Sequence, residues 1–167
     1  MTENLNKASG NNYRLGFPIL PVTTTIKDSM PLELNIFGTV MPGMSLGVTD
    51  EYFSGFKQKM AHGEVEYNTW NTNFTVDENW DNWEILIKWI KFISDNNSIV
   101  PCDKNLYAVD SSLLIYDNFN TEVVKEIFFE SIWPSDVGDV ELSERDGETY
   151  LECSCQFSYD NFKIGEK

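Results

Sequence analysis

Basic residues are scarce in this sequence. Its 167 residues include 12 Lys and Arg against 27 Asp and Glu, a formal net charge of -15. A grip on a phosphate backbone needs clustered cations, so this balance argues against that kind of nucleic-acid binding. The charge has a plain reading, an acidic surface solvated by water, and a sharper one, a surface that must not hold nucleic acid. Histidine is nearly absent: His62 is the only one. A serine or cysteine triad would have to use it, and nothing around His62-Gly63 completes one. There is no G-x-G-x-x-G and no G-x-x-x-x-G-K, hence no phosphate loop. No apolar run reaches 18 residues, so no membrane span is expected. The polar N-terminus, Met1 to Asn12, lacks an apolar signal core, which points to synthesis in a reducing cytoplasm.

Cysteines number three, an odd count. Cys153 and Cys155 sit two apart on one face of a strand-like run. A metal would need further ligands that the sequence does not offer, and buried small apolar residues are the better account. Carboxylates are abundant, but no pair is singled out by its surroundings for glycosidase chemistry. Asp77, Asp81 and Glu84 lack the glycine-centred pattern of a calcium loop and read as a helix start. No catalytic residue, cofactor or metal ligand is assigned, and an enzyme is not expected.

What is present is apolar and patterned. Hydrophobic residues make up 41% and aromatics 14%, enough for one packed domain. Residues 122–139 begin as a strand. Val123, Lys125, Ile127, Phe129, Ser131 and Trp133 point one way, towards the core; Val124, Glu126, Phe128, Glu130 and Ile132 point the other. Pro134 is expected to end this strand, and Ser135 to Asp139 to turn.

Other elements follow the same logic. Residues 1–12 read as a flexible arm, 13–162 as a single β domain and 163–167 as a tail. Tyr13 to Phe17, Val22 to Ile26 and Leu32 to Val40 are strand patterns, and Met41-Pro42-Gly43 suits a turn. Residues 44–66 suggest short strands joined by a long apolar loop, which either folds over the core or packs on another subunit. Residues 66–76 alternate, with Trp70, Thr72, Phe74 and Val76 on the core side. Residues 78–94 form a helix whose stripe is Trp80, Trp83, Ile87 and Ile90, widened by Leu86 and Ile93. Asp77 or Asn79 caps it, and Lys88 and Lys91 sit near its end. At helical spacing the tryptophans read as core before a sugar platform. Residues 107–116 are a strand. Residues 140–144 are expected to pair with 149–159 through Arg145-Asp146-Gly147-Glu148, with Leu151, Cys153, Cys155, Phe157 and Tyr159 inward. The fold class is mainly β: seven or eight strands in an antiparallel sandwich or open barrel, with one packed helix.

The run Trp133-Pro134-Ser135-Asp136-Val137-Gly138-Asp139-Val140-Glu141-Leu142 resembles the C-terminal signature of tail tube proteins from contractile-tailed bacteriophages. The residues that carry it are Trp133, Pro134, Val137 and Gly138. Pro42-Gly43 after the early strands and Trp89-Ile90 in the helix are further points of likeness. The resemblance spans about residues 13–162.

That resemblance implies a structural virion protein that forms stacked hexameric rings, a tube inside a contractile sheath that conducts DNA. Partners would be copies of itself, the sheath, and baseplate and terminator proteins. DNA would pass only transiently, and no membrane anchor is implied. The place would be the virion tail, assembled in the host cytoplasm. Met41, Pro42, Met44, Tyr52, Phe53, Phe56 and Met60 are the expected subunit interface. Glu126, Glu130, Glu152 and Gln156 are the expected lumen residues. Six copies carry about ninety negative charges, six times fifteen, which apolar contact must outweigh. A baseplate ring that initiates the tube, the tube of a contractile injection system, and a monomeric carbohydrate-binding sandwich using exposed tryptophans are the alternatives.

Overall fold

A computed structural model describes residues 13–16, 36–97, 103–142 and 150–165. The expected arm at 1–12, the strand at 22–26, the residues 32–35 and the turn at 145–148 lie outside the described residues.

Seven strands form one bent antiparallel sheet in the order β1-β6-β7-β8-β5-β2, with β9 also beside β7. They are β1 Tyr13–Gly16, β2 Ile36–Thr39, β5 Trp70–Thr75, β6 Val109–Tyr116, β7 Val123–Val137, β8 Glu152–Ser158 and β9 Asn161–Gly165. Two more, β3 Met44–Phe53 and β4 Phe56–Tyr67, pair only with each other. The single α-helix among the described residues, α1, spans Asp81–Asn97.

Strand β7 shapes the sheet. Its first part lies between β6 and β9, and its last part pairs with β8. Between them Ser131 takes φ 54°, a left-handed conformation that few non-glycine residues adopt. The Asp110 carboxylate accepts its N–H at 3.0 Å, which holds the bend. The bend reverses the alternation. Ile127 and Phe129 are buried before it, Ile132 and Pro134 after it. Ile132, expected outside, is therefore core, and Trp133 is half-buried. Pro134 does not end the strand. It sits at a register shift opposite β8, where a missing N–H is tolerated, and Ser135 to Val137 continue as strand instead of turning.

The bend folds the sheet into two facing halves. Trp70 of β5 stacks on Phe129 of β7 at 4.5 Å and 25°, so the inner faces meet across the core. Phe74, Phe157, Leu113 and Ile127 complete it with Cys153 and Cys155. The inward set Trp70, Thr72, Phe74 and Val76 is as the alternation predicts, and so is Cys153, Cys155, Phe157 and Tyr159. The buried Trp70 indole donates to the Val40 carbonyl at 2.8 Å, so its polar edge is satisfied.

Helix α1 starts where Asp77 Oδ1 accepts the Asp81 N–H at 2.7 Å. Its buried stripe is Asn82, Ile85, Leu86 and Trp89; the expected Trp80, Trp83, Ile87, Ile90 and Ile93 are half-buried. Asn82 explains the rotation. Fully buried, it donates to the Thr75 carbonyl at 2.8 Å and accepts the Trp83 N–H at 2.8 Å, so a polar residue sits where the apolar pattern is counted. The last turn carries no basic residue, and Lys88 instead pairs with Glu84 at 2.9 Å in mid-helix.

Four further expectations change. Residues 66–76 are not one strand: β4 ends at Tyr67 and β5 starts at Trp70. Met41-Pro42-Gly43 does not reverse the chain but carries it from β2 into β3, with the Gly43 carbonyl accepting the Asn68 N–H at 3.0 Å. The last long strand pairs with β5 on one side and Trp133–Val137 on the other, and Val140 to Leu142 are not strand. Part of the expected tail is β9, which pairs with β7.

Asn82→Ala takes these bonds from the Thr75 carbonyl and the Trp83 N–H in the first turn. We expect a loss of about 1–3 kcal/mol in denaturant unfolding, with exposed Asn79→Ala within about 0.5 kcal/mol of the parent.

Candidate assembly surfaces

Residues 44–66, expected as short strands and a loop, form an antiparallel ribbon. Ser54 and Gly55 close it at φ 51° and 86°, a two-residue turn of the kind that matches strand twist. Ten residues of β3 make the ribbon about 33 Å long. Its register shifts between Leu46 and Val48. The strands contact each other and touch the body only marginally. It does not fold over the core.

The side chains on this ribbon are uncovered. Tyr52, Phe53 and Phe56 are 77%, 78% and 79% exposed, and Met44, Leu46, Val48, Met60 and Val65 are exposed as well. Cross-strand pairing sorts them. Phe53 faces Phe56, and Thr49 faces Met60 four pairs on, an even step, so Phe53, Phe56 and Met60 share a face. Tyr52 pairs with Lys57 on the opposite face, where Lys57 also meets Asp50 at 2.6 Å. Met44 stands at the root opposite Tyr67; Met41 is exposed and Pro42 half-buried in the link from β2. The expected interface residues thus lie along one projection, on two sides of it.

The expected lumen residues divide differently. Glu126 and Glu130 lie on the outer face of the β6–β7–β9 half, next to exposed Val124 and Phe128. Glu152 and Gln156 lie on the outer face of the β5–β8 half, where Gln156 is flanked by Asn71 and Asp136, and Asn73 pairs with Ser154. Because the inner faces meet at Trp70 and Phe129, these outer faces point apart. The four residues do not share a wall. Glu130 is also engaged: it pairs with Lys163 and accepts from Asn161 Nδ2 at 3.2 Å. The Lys163 hydrogen bond draws its carboxyl below the usual glutamate range, with Asn161 helping and nearby Asp160 opposing.

The signature residues are structural. Trp133 lies under the Lys104 ammonium, 4.2 Å from ring centre, with Tyr107 edge-on at 6.0 Å. Pro134 is buried, and Val137 packs against the core. Gly138 is needed for close approach: a Cβ there would stand 2.5 Å from Ser154 Oγ, and its N–H donates to the Ser154 carbonyl at 2.8 Å. Trp70 and Trp89 are buried and Trp80, Trp83 and Trp133 half-buried, which leaves no exposed tryptophan for a sugar platform. Cys153 and Cys155 lie buried on the inner face, and burial raises both thiols, Cys155 well above its ordinary range.

Among the described residues no strand lies beyond β1, β2 or β9, and the apolar side chains of the ribbon are uncovered. The phage tail tube protein family model matches residues 8–165, and the chain belongs to that family. The tail tube terminator protein of Enterobacteria phage T4 is 26% identical over 163 residues, covering 95% of this chain and 89% of that one. Two cryo-EM structures share the fold. The PVC sheath/tube terminator of an extracellular contractile injection system, in the extended state, matches with TM-score 0.68 at 11% identity, over 96% of this chain and 97% of that one. The tube-terminating cap of the anti-feeding prophage matches with TM-score 0.67 at 10% identity, over the whole of both chains. The protein is a tube-related structural component of a phage tail.

The lowered acidity constant of Glu130 has a definite sign. Its contribution to β9 is complete above the ordinary glutamate value and is lost as pH falls through the lowered one. We expect amide protection of Phe162 and Ile164 to fall across that acidic window, and Glu130→Gln to remove the dependence, as read by exchange protection factors.

Proposed function

We propose that this protein closes into a hexameric ring with copies of itself and sits at the end of the tail tube as its terminator. The β3–β4 ribbon carries the reading. A two-stranded ribbon with bare aromatics at its tip is marginal in water and gains from a cover. Burial of Phe53 or Phe56 on a neighbour stabilises by about 1.5–3 kcal/mol per side chain. The charge of the ring opposes this, but exposed charges are screened over about 8 Å at physiological salt. Assembly should therefore weaken as salt is lowered. The likeness to the T4 terminator over most of the chain favours the end position. A second reading, stacked rings building the tube itself, is favoured by the description of the family model.

The outer face of the β5–β8 half suits the channel wall. Asn71, Asn73, Ser154, Gln156 and Glu152 offer amides, a hydroxyl and a carboxylate, and no cation that would stall DNA. Glu126 and Glu130, on the opposite side, face outward in this arrangement. Sheath, baseplate and tube proteins are the partners, and assembly takes place in the host cytoplasm.

Copies per tail, counted by quantitative mass spectrometry against the sheath protein, test the position. One ring's worth supports the terminator; many rings' worth supports the stacked tube. A Phe53→Ser, Phe56→Ser double variant should keep the parent melting temperature yet form no rings in sedimentation velocity. Rings at parental yield would remove the ribbon from assembly.

A further inference from the structure

Beyond its root the ribbon touches the body only marginally, so its direction is set at that root. One side of that root is fixed by Trp70, whose indole holds the Val40 carbonyl. The other side is Tyr67, the last residue of β4. Its hydroxyl donates to Asn161 Oδ1 at 2.8 Å, and its ring meets Phe162 at 5.7 Å and Tyr159 at 5.8 Å. The Asn161 amide is engaged at both ends, since its Nδ2 donates to Glu130 Oε2. Glu130 is in turn held by Lys163. The chain of contacts runs from the ribbon root through β9 to β7.

We propose that Tyr67 and Asn161 form a latch that sets the angle of the ribbon to the body, and so act as positioning residues for assembly. An amide at position 161 meets both demands at once. The hydroxyl needs an acceptor there, and the Glu130 carboxylate needs a donor. An aspartate would meet Tyr67 but repel Glu130. The consequence for assembly rests on the reading of the ribbon as the assembly arm; the latch itself does not. A preset arm binds with less ordering cost than a swinging one.

Spin labels on Glu51→Cys in the ribbon and Glu152→Cys on the body, in a Cys102→Ser background, report the spread of ribbon-to-body distances in the free full-length chain. Buried Cys153 and Cys155 stay unlabelled while the protein is folded. Tyr67→Phe keeps the ring and removes only the hydroxyl. It and Asn161→Asp should each widen the distribution by roughly twofold, while Tyr52→Phe, far from the root, leaves it at parental width. Should Asn161→Asp fail to fold, Asn161→Ala takes its place. Parental width in Tyr67→Phe or in the position-161 variant overturns the latch. Ring yield of the widened variants in sedimentation separates the two ideas. A loss of roughly tenfold supports both latch and arm. Unimpaired rings with a widened distribution support the latch and count against the ribbon as the assembly arm.

Discussion

One strand has to serve two half-sheets, and the rest of the molecule depends on how it does so. β7 turns at Ser131, whose left-handed backbone is held by Asp110, and its inward side changes from Ile127 and Phe129 to Ile132 and Pro134. The change lets Phe129 reach Trp70 across the core and places Pro134 at a register shift. The family signature follows directly after this bend. Its glycine is there because β8 passes too close for any side chain, with Ser154 in the way. The glycine of the signature is thus a record of backbone geometry.

The same bend decides what faces outward. The two halves turn their outer surfaces apart, one amide-rich and one mixed with exposed Val124 and Phe128. The ribbon leaves from the β2–β5 edge as a continuation of that pair: β2 runs out into β3, and β4 returns into β5. Its two strands are hydrogen-bonded to each other along their inner edges, and the ribbon exposes both its outer edges and its apolar side chains. Sequence, fold and the proposed assembly connect here: the residues that do nothing for the monomer's core are the ones the proposal covers with a neighbour.

Much of this was legible in the sequence, and the misses have causes. Plain alternation gave the inward sets of β5 and β8, because both strands are regular and half-buried. The helix was clear, but its buried stripe was not, since burial of Asn82 is a matter of hydrogen bonds to Thr75 and Trp83 that no apolar count registers. The phase change at Ser131 carries no signal in residue type. Pro134 reads as a breaker because local rules do not see a register shift. Ser54-Gly55 between Phe53 and Phe56 did announce a hairpin; the glycines at 47 and 63 hid it, and Gly47 lies at the register shift. The lumen set mixed two faces because alternation along a strand does not say how two half-sheets are turned.

The central claim is that the ribbon, bare in the free chain, is covered by another copy in the tail. Hydroxyl-radical footprinting of Tyr52, Phe53 and Phe56 in purified chain and in intact tails measures this directly. Strong protection of Phe53 and Phe56 in tails is the predicted result; equal labelling in both would contradict it.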